Sequence, residues 1–351
     1  MRIEAESEPL QGPDAGVTVG DLGESGVLAR VLAKLGAADA AVVGPGDDCA
    51  VISTDACTVV TTDTMVEGPD FRRAWHDGFE LGWKLAATNL SDVAAMGARP
   101  IALTAAFAVP RDTPVVLLER IAEGLDAACR ELAPGCGVVG GDLGTAPVVM
   151  ASVTALGALE GRPPVPRSGA RAGDVVAYAG DLGLAGLGLS LLFAEAADAD
   201  GTAHARTLVE LKRAHPAELA AQLAPAPPIG LGAAAADAGA TAMMDVSDSL
   251  SIDAARMARA SRADVVLDTA LLESGFGAQR GAQVPVAAML TGGEDHGLLA
   301  TFPPGTVLPE GFREIGTVGP AQDPRRPGVR LDGEPFEPRG WDPYTVRLPG
   351  W

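Results

Sequence analysis

The chain has 351 residues, enough for two ordinary domains, and 47% of them are hydrophobic, so it can bury a substantial core. Acidic residues outnumber basic ones by 46 to 26, which gives a formal net charge of -20 at pH 7. Such a surface repels nucleic acids and anionic membranes, so we expect neither as a partner. If the substrates are phosphates, divalent cations are needed to screen their charge from that of the protein.

The four cysteines, at positions 49, 57, 129 and 136, show no C-x-x-C spacing, and the four histidines show no zinc-ligand spacing. No apolar run reaches the length of a membrane span, and the start of the chain has no signal-peptide pattern. We therefore expect a cytoplasmic protein with reduced thiols. Residues 1–20 are polar at their start and are expected to form a flexible N-terminal extension.

Hydrophobic periodicity and turn residues predict the elements of the first half in chain order. Helices are expected from Ser25 to Leu35, from the capping box Asp77-Gly78-Phe79-Glu80 to Met96, and after Thr113, with Pro114 at the first helical position. The glycine-rich stretch 140–144 is expected to lie between two strands. The predicted strands are 49–52, 58–66, 101–109 and 148–159.

A Pro- and Gly-rich stretch at 161–164 marks the predicted boundary between an N-terminal domain, 21–161, and a C-terminal domain, 162–351. The second half alternates strand and helix patterns, which predicts a mixed α+β unit. Its expected helices are 184–194, one within 217–240, and one that ends near 259. Its expected strands are 175–179, 241–245, 264–267 and 297–302.

Five acidic clusters fall at turns or helix ends, and their carboxylate and hydroxyl oxygens are the ligands that Mg²⁺ prefers. Asp92 lies among apolar residues of a predicted helix, on the same face as Asn89, where a carboxylate is costly unless it is paired or metal-bound. Each cluster alone has a structural interpretation as a turn or a helix cap. The clusters are Gly46-Asp47-Asp48, Thr61-Thr62-Asp63-Thr64, Asn89-Leu90-Ser91-Asp92, Gly140-Gly141-Asp142 and Asp245-Val246-Ser247-Asp248.

Three other features have both a functional and a structural interpretation. Glycines before Asp142 allow backbone to approach a phosphate closely, although the motif is no Walker A sequence. Arg167 is either an ordinary surface residue or a phosphate ligand, for which the guanidinium group is suited. The segment Gly292-Gly293-Glu294-Asp295-His296 is a tight turn before an apolar strand, and a lone histidine there is more often structural than catalytic.

In order and spacing, the motifs resemble those of the thiamine-monophosphate kinase family over nearly the whole chain. The resemblance implies the two-domain α/β (α+β) fold of the aminoimidazole ribonucleotide synthetase-like superfamily, with the N-terminal sheets paired in a homodimer. It also implies ATP and several Mg²⁺ ions in the cleft between the domains. The matching strings are G-D-D-C-A, T-T-D-T-M-V-E-G, N-L-S-D-V-A-A-M-G-A, G-G-D, R-S-G-A, M-D-V-S-D-S-L and G-G-E-D-H.

The resemblance further implies roles for individual residues. The implied metal ligands are Asp48, Thr61, Thr62, Asp63, Asp92, Asp142, Asp245 and Asp248. The implied ATP contacts are Gly141, Asp142, Arg167 and Ser247. The implied substrate contacts are Glu294, Trp341 and Asp70. An aromatic ring such as that of Trp341 suits a cationic thiazolium or a pyrimidine.

Three positions depart from the family pattern. Asp70 stands where the family commonly has His, Ser249 stands where it has Gly, and His296-Gly297 replaces Tyr-Glu. None of these changes touches the implied metal ligands. The changes at Asp70 and His296-Gly297 bear on the substrate end of the site, whereas the change at Ser249 lies at a helix start.

These roles predict direct in-line transfer of the ATP γ-phosphoryl group to the phosphate of thiamine phosphate. No protein nucleophile or general base is expected, and Asp63, Asp92 and Asp142 are expected to hold Mg²⁺. Two alternatives stay open at this point. One is another ATP-dependent synthetase of the same superfamily with a different small-molecule substrate, and the other is a non-catalytic nucleotide- or metal-binding homologue.

Overall fold

The computed structural model describes residues 16–43, 51–54 and 57–340. In these ranges the helices are α1 Val19–Leu32, α2 Gly78–Ala95, α3 Val115–Leu132, α4 Leu184–Glu195, α5 Leu208–Ala214, α6 Pro216–Leu223, α7 Gly230–Asp237, α8 Leu250–Ser261, α9 Thr269–Phe276 and α10 Val286–Thr291. The strands are β1 Ala41–Val43, β2 Val51–Ile52, β3 Thr58–Val66, β4 Arg99–Val109, β5 Val138–Thr145, β6 Met150–Ala158, β7 Val175–Ala179, β8 Ala242–Asp245, β9 Ala263–Leu267, β10 Ala278–Gln279, β11 Ala282–Gln283, β12 Leu298–Phe302, β13 Arg313–Pro320, β14 Val329–Leu331 and β15 Glu334–Phe336.

The first half is built on a four-stranded sheet with the order β3-β6-β4-β5. Strand β6 pairs antiparallel with both β3 and β4, and β5 pairs parallel with β4. Helices α2 and α3 pack closely together, because Gly82 and Gly124 allow backbone-to-backbone contact. A Cβ on Gly82 would lie 2.0 Å from the Ile121 carbonyl oxygen, and one on Gly124 would lie 2.1 Å from that of Phe79. The sheet and this helix pair enclose an apolar core.

The second half is built on a seven-stranded sheet with the order β15-β14-β9-β13-β7-β12-β8. Its strands are antiparallel except for the parallel pair β14 and β9. The apolar core of the first half extends into this sheet, since it includes Ala177, Ala179 and Leu298. Helix α2 therefore lies between the two sheets, and residues of both halves meet on it. This contact region between the sheets is called the joint below. The domain boundary at 161–162 stays a prediction, and it falls between the last strand of the first sheet and β7.

Several predicted elements are confirmed. Strands 58–66 and 175–179 have the expected limits. Helix α2 begins at the expected capping box, in which the Asp77 carboxylate accepts from the Glu80 N–H and the Glu80 carboxylate accepts from the Asp77 N–H. Reciprocal capping of this kind is encoded by four consecutive residues, so sequence alone is sufficient to locate it.

Other predicted limits are wrong. Helix α1 includes an extra first turn that starts at Val19 and is capped by Thr18 and Asp21. Gly23, with φ of 65° and ψ of 173°, interrupts the helix, and the main helical part after this kink starts close to the predicted Ser25 but ends at Leu32 instead of Leu35. Pro114 is the N-cap of α3 and not its first helical residue. The glycine-rich stretch 140–144 lies within β5, because the parallel neighbour β4 supplies a hydrogen-bonding partner along its length. No helix in the described ranges combines the length and apolar character needed to cross a membrane.

Candidate active site

An acidic cleft of about 610 Å³ lies where β3 and α2 meet β8 and the loops that follow β8 and α10. Carboxylates from both halves of the chain line it, although the protein already carries a large negative charge. Such a concentration of like charge is unfavourable unless cations or hydrogen-bond donors compensate for it. The acidic residues that line the cleft are Asp63, Asp70, Asp92, Asp245, Asp248 and Glu294.

One wall of the cleft joins strand β3 to helix α2. Thr61 and Asp63 lie on the same face of β3, because alternate strand residues share a face. The Thr61 hydroxyl donates to Asp92 Oδ2 at 2.8 Å, and the Asp63 N–H donates to Asn89 Oδ1 at 3.2 Å. Asn89 and Asp92 thus face β3 together, as their spacing predicts, and these bonds fix two carboxylates beside each other.

The opposite wall is formed by Asp245 at the end of β8. Its Oδ2 accepts a hydrogen bond from the Ser91 hydroxyl at 3.2 Å and lies 3.3 Å from His296 Nδ1. His296 Nε2 lies 3.4 Å from the hydroxyl of Thr88. His296, a departure from the family pattern, therefore connects α2 to β8. Burial lowers the pKa of His296, but the hydrogen bond and negative charge of Asp245 outweigh burial and raise it overall.

The electrostatics of the cleft favour a bound cation. Burial is the largest cause that raises the pKa of Asp92, and the charges of Asp245 and Asp63 add to it. The resulting pKa is about 7, despite the hydrogen bond from Thr61. Burial also raises the pKa of Asp63. A bound cation stabilises carboxylates that resist ionisation for these reasons, because it neutralises their charge.

The donor atoms fit magnesium better than zinc. They are carboxylate and hydroxyl oxygens, whereas zinc prefers nitrogen and sulfur ligands. Among the described residues, no three Asp, Glu, His or Cys side chains converge on one ion position. Mg²⁺ usually takes one or two protein carboxylates and completes its shell with water and substrate phosphates, so pairs of aspartates suffice. Asp48, another predicted ligand, lies outside the described residues.

The loop that precedes α8 is shaped by a buried carboxylate. Asp253 Oδ2 accepts from the backbone N–H groups of Ser247 at 3.1 Å, Asp248 at 3.1 Å and Ser249 at 3.3 Å. The Arg256 guanidinium contacts Asp253 Oδ1 at 2.6 Å and Asp248 Oδ2 at 2.5 Å. Ser247 and Asp248 are thereby directed into the cleft. Sequence reasoning missed Asp253, although an Asp four residues after Ser249 on the same helix is a recognisable signal.

A second pocket, of about 370 Å³, adjoins the cleft and shares Asp70 and Glu294 with it. Its wall includes Trp75 and Phe193, and the Arg72 guanidinium lies 4.6 Å and 4.7 Å from the centroids of these rings. Asp70 Oδ2 accepts from the Val66 N–H at 2.7 Å, and burial raises the pKa of Asp70. This pocket is therefore aromatic on one side and acidic where it meets the cleft.

Gly340 lines this second pocket and is the last residue that the structure describes. Trp341, the predicted aromatic contact to the substrate, follows directly in the chain and lies outside the described residues. The predicted contact of Trp341 with the thiamine ring stays a prediction.

Glu294 stands between the cleft and the second pocket. Its Oε1 lies 2.8 Å from Lys84 Nζ, and its Oε2 accepts from Gln222 Nε2 at 2.7 Å. Burial pushes the pKa of Glu294 upward, but the charge and hydrogen bond of Lys84 and the hydrogen bond of Gln222 lower it overall. Sequence reasoning missed Lys84 and Gln222. The signal for Lys84 is a single basic residue inside the apolar part of α2.

Some predicted site residues lie away from the acidic cleft of the same chain. Gly141 and Asp142 lie on β5, which two strands separate from β3. Asp142 is opposite Ala106 on β4, and so lies on the sheet face that carries Thr62 and Thr64 and not on the face of Asp63. The Thr62 hydroxyl donates to the Val153 carbonyl at 3.0 Å.

Asp142 lines a different and mainly apolar pocket of about 690 Å³, between α1, α3 and the sheet. Arg167 is exposed and is not among the residues that line the acidic cleft, and its carbonyl accepts from the Ser261 hydroxyl at 3.1 Å. Within one chain, the structure therefore brings together Thr61, Asp63, Asp70, Asp92, Asp245, Ser247, Asp248 and Glu294.

The fold and the cleft define a class of protein. Residues 46–159 match the family model described as AIR synthase related protein, N-terminal domain. The first half of this chain therefore contains an AIR synthase related N-terminal domain, and that domain supplies one wall of the acidic cleft.

Relatives of known function narrow the class. The thiamine-monophosphate kinase of Mycobacterium tuberculosis is 38% identical over 336 residues, which cover 93% of this chain and 93% of that protein. The crystal structure of thiamine-monophosphate kinase from Stenotrophomonas maltophilia superposes with a TM-score of 0.68 at 30% identity, over 88% of this chain and 95% of that one. The solved structure of AaThiL complexed with AMPPCP and TMP superposes with a TM-score of 0.67 at 30% identity, over 83% of this chain and 89% of that one. The chain belongs to the thiamine-monophosphate kinase family.

Proposed function

We propose that this protein transfers the γ-phosphoryl group of ATP to thiamine phosphate, giving ADP and thiamine diphosphate. The observation that carries the proposal is the junction of two pockets. An acidic, oxygen-rich cleft opens into an aromatic pocket, and Asp70 and Glu294 line both. The first suits phosphates with cations, and the second offers apolar ring carbon to the flat organic part of thiamine phosphate, with the negative charges of Asp70 and Glu294 at the junction to face its positive charge.

The chain's own residues prepare the cleft for two anionic reactants. The carboxylates of Asp92 and Asp245 accept hydrogen bonds from the hydroxyls of Thr61 and Ser91, and the Asp63 backbone N–H donates to Asn89 Oδ1, so the positions of these three residues are set before substrate arrives. We propose that these carboxylates hold Mg²⁺, which when bound neutralises phosphate charge and orients the reactants. Asp253 holds the N–H groups of the loop that carries Ser247, which we propose as an ATP contact.

No protein nucleophile is required for this reaction. The terminal phosphate of thiamine phosphate is already an anionic oxygen nucleophile near neutral pH, so the protein's task is to position and to neutralise. Glu294 and Asp70 lie where the acceptor's organic part meets its phosphate, and their negative charge suits the thiazolium cation. Trp75 and Phe193 line the other end of the pocket, where the Arg72 guanidinium lies against both rings.

We also propose that the active unit is a homodimer in which the partner subunit supplies Asp142. Within one chain, Asp142 lies on the far face of the sheet from Asp63, although both have carboxylates suited to the same chemistry. That face also exposes Val60, which is 68% accessible to solvent. A second copy that packs on this face buries the apolar side chain of Val60.

Subunit mixing tests the shared site. Asp92→Asn and Asp142→Asn homodimers are both expected to be inactive. If each site takes Asp92 from one subunit and Asp142 from the other, mixed and reassociated subunits regain about a quarter of wild-type activity, because half of the dimers then contain one intact site. A mixture that stays inactive after proven subunit exchange contradicts the arrangement.

Turnover is the direct test of the function. Purified protein is incubated with ATP, Mg²⁺ and thiamine phosphate, and the products are identified by mass. We expect thiamine diphosphate and ADP in equal amounts, and no product after chelation of the metal. ATP binding without turnover on thiamine phosphate overturns the substrate, and a panel of other phosphorylated acceptors then identifies the correct one.

A further inference from the structure

Lys84 is completely buried in the middle of α2, at the joint between the two sheets. Its ammonium group contacts Glu294 Oε1 at 2.8 Å and donates to the Gln222 carbonyl at 3.2 Å. The side-chain amide of Gln222 donates to the other oxygen of Glu294. Three chain segments that are distant in sequence therefore meet at one carboxylate.

The Glu294 backbone adds a second constraint. Its φ is +67°, in the left-handed region that residues with a Cβ rarely adopt. Its N–H donates to the Ser247 carbonyl at 2.8 Å, which ties the turn to the loop at the cleft. Both the backbone and the carboxylate of Glu294 are thus fixed, while 28% of its side chain stays accessible from the two pockets.

A purely stabilising role explains this arrangement poorly. Removing two charges from water costs much of what their attraction returns, and apolar replacements of buried ion pairs are often neutral or stabilising. Here the cation is fully buried, whereas its carboxylate partner faces the pockets. This asymmetry is expected if Lys84 positions a binding residue, because Lys84 is shielded from solvent while the Glu294 carboxylate stays accessible to a ligand.

We propose that Lys84 is a positioning residue for the acceptor: with Gln222 it fixes the Glu294 carboxylate, ionised and correctly aimed, at the junction of the phosphate cleft and the aromatic pocket. The inference rests on the proposed function, since it assigns Glu294 to recognition of the acceptor's cationic organic part. Lys84 itself then contacts neither substrate. Its loss affects the acceptor through Glu294 and leaves the ATP side of the cleft unchanged.

Charge explains why an ionised Glu294 depends on Lys84. Asp70, His76 and His296 also face Glu294 electrostatically. Asp70 is acidic, and burial lowers the pKa of His76 to about 3, so His76 stays neutral near pH 7. Without the Lys84 cation, burial and the charge of Asp70 favour protonation of Glu294, against the smaller opposing effects of the Gln222 hydrogen bond and the charge of His296. A variant without Lys84 is therefore expected to lose acceptor affinity increasingly as the pH falls from 8 to 6.

The test compares Lys84→Met, Glu294→Gln and the double variant by steady-state kinetics between pH 6 and 8. For Lys84→Met we expect the KM for thiamine phosphate to rise about tenfold or more, as loss of a charged hydrogen bond predicts. The KM for ATP is expected to stay within about twofold, since neither Lys84 nor Glu294 is a proposed ATP contact. The double variant is expected to match Glu294→Gln alone and to lose the extra pH dependence.

Lys212→Met is the matched control. Lys212 forms an ion pair of 2.5 Å with Glu80, which also links α2 to the second half of the chain, but neither residue lines the two pockets. We expect this variant to keep both KM values. If it raises the acceptor KM as much as Lys84→Met does, general loosening of the joint explains the effect and the proposal is overturned.

Two further outcomes decide the matter. The proposal is overturned if the effects of Lys84→Met and Glu294→Gln on the KM for thiamine phosphate simply add in the double variant. It is also overturned if Lys84→Met raises the KM for ATP as much as the KM for thiamine phosphate. If Lys84→Met does not fold, the double variant, which has no unpaired buried charge, still shows whether loss of Lys84 adds to loss of Glu294. Calorimetric binding of thiamine phosphate to each variant, without ATP, separates failure of this inference from absence of the proposed turnover.

Discussion

Asp92→Asn removes one charge from the centre of the acidic cleft and leaves the shape of the side chain nearly unchanged. The asparagine carbonyl still accepts from the Thr61 hydroxyl, which in the native protein donates to Asp92 at 2.8 Å. Burial and the charges of Asp245 and Asp63 no longer oppose ionisation at this position. We therefore expect a variant that is more stable than the wild type without cations, yet nearly inactive.

The size and sign of the effect follow from the pKa of Asp92. Its folded value is about 7, against an ordinary value of 3.8. Between these values the folded state binds more protons than the unfolded state, so the stability of the cation-free wild type falls as pH rises from about 4 to 7. Three pKa units correspond to about 4 kcal/mol, an upper limit that relaxation of the cleft reduces. The Asp92→Asn variant does not lose stability in this way as the pH rises.

Thermal unfolding in the presence of chelator measures the difference. At pH 8 we expect Asp92→Asn to unfold roughly 5 °C or more above the wild type, and at pH 4 the two are expected to unfold together. Mg²⁺ with ATP is expected to raise the Tm of the wild type more than that of the variant. Turnover of the variant is expected to fall by about a hundredfold or more, because a ligand for the cation is lost.

An exposed carboxylate provides the control. Asp198 pairs with Arg206 on the surface, and its replacement by Asn is expected to change stability by less than about 1 kcal/mol at either pH. The reasoning is refuted if Asp92→Asn has the same Tm as the wild type at pH 8, since the cleft would then not be electrostatically strained. Near-normal turnover of Asp92→Asn would refute the role of the carboxylate in catalysis.

Three further predictions concern the neighbouring structure. Asp253→Asn weakens acceptance from three backbone N–H groups, so we expect a KM for ATP raised about tenfold, measured by steady-state kinetics. Asp70→Asn keeps an oxygen for the backbone but loses its charge, so the KM for thiamine phosphate is expected to rise several-fold with little change in kcat; an unchanged KM contradicts this. Gly82→Ala places a Cβ 2.0 Å from the Ile121 carbonyl oxygen and is expected to cost about 2–3 kcal/mol, whereas Gly230→Ala, with no atom within 4 Å, is expected to stabilise by up to about 1 kcal/mol.

The sequence by itself determined the local structure and the chemistry of the donor atoms. The capping box at Asp77, the strand 58–66 and the shared face of Asn89 and Asp92 depend on residues close in the chain, so spacing is sufficient to predict them. The oxygen-rich motifs identified the family, which the comparison with curated relatives confirmed. Local rules failed where a neighbour in space decided the outcome, as when β4 converted the glycine stretch 140–144 into a strand.

Only the tertiary structure decided which of these residues work together. Sheet alternation puts Asp142 on the opposite face from Asp63, although both occur in similar motifs. The contact of Lys84 with Glu294 joins distant parts of the chain, and no local pattern encodes it. The pKa of Asp92 likewise depends on burial and on charges from another strand. Burial, pairing and electrostatic coupling are properties of positions in space, whereas a sequence specifies residue types in order.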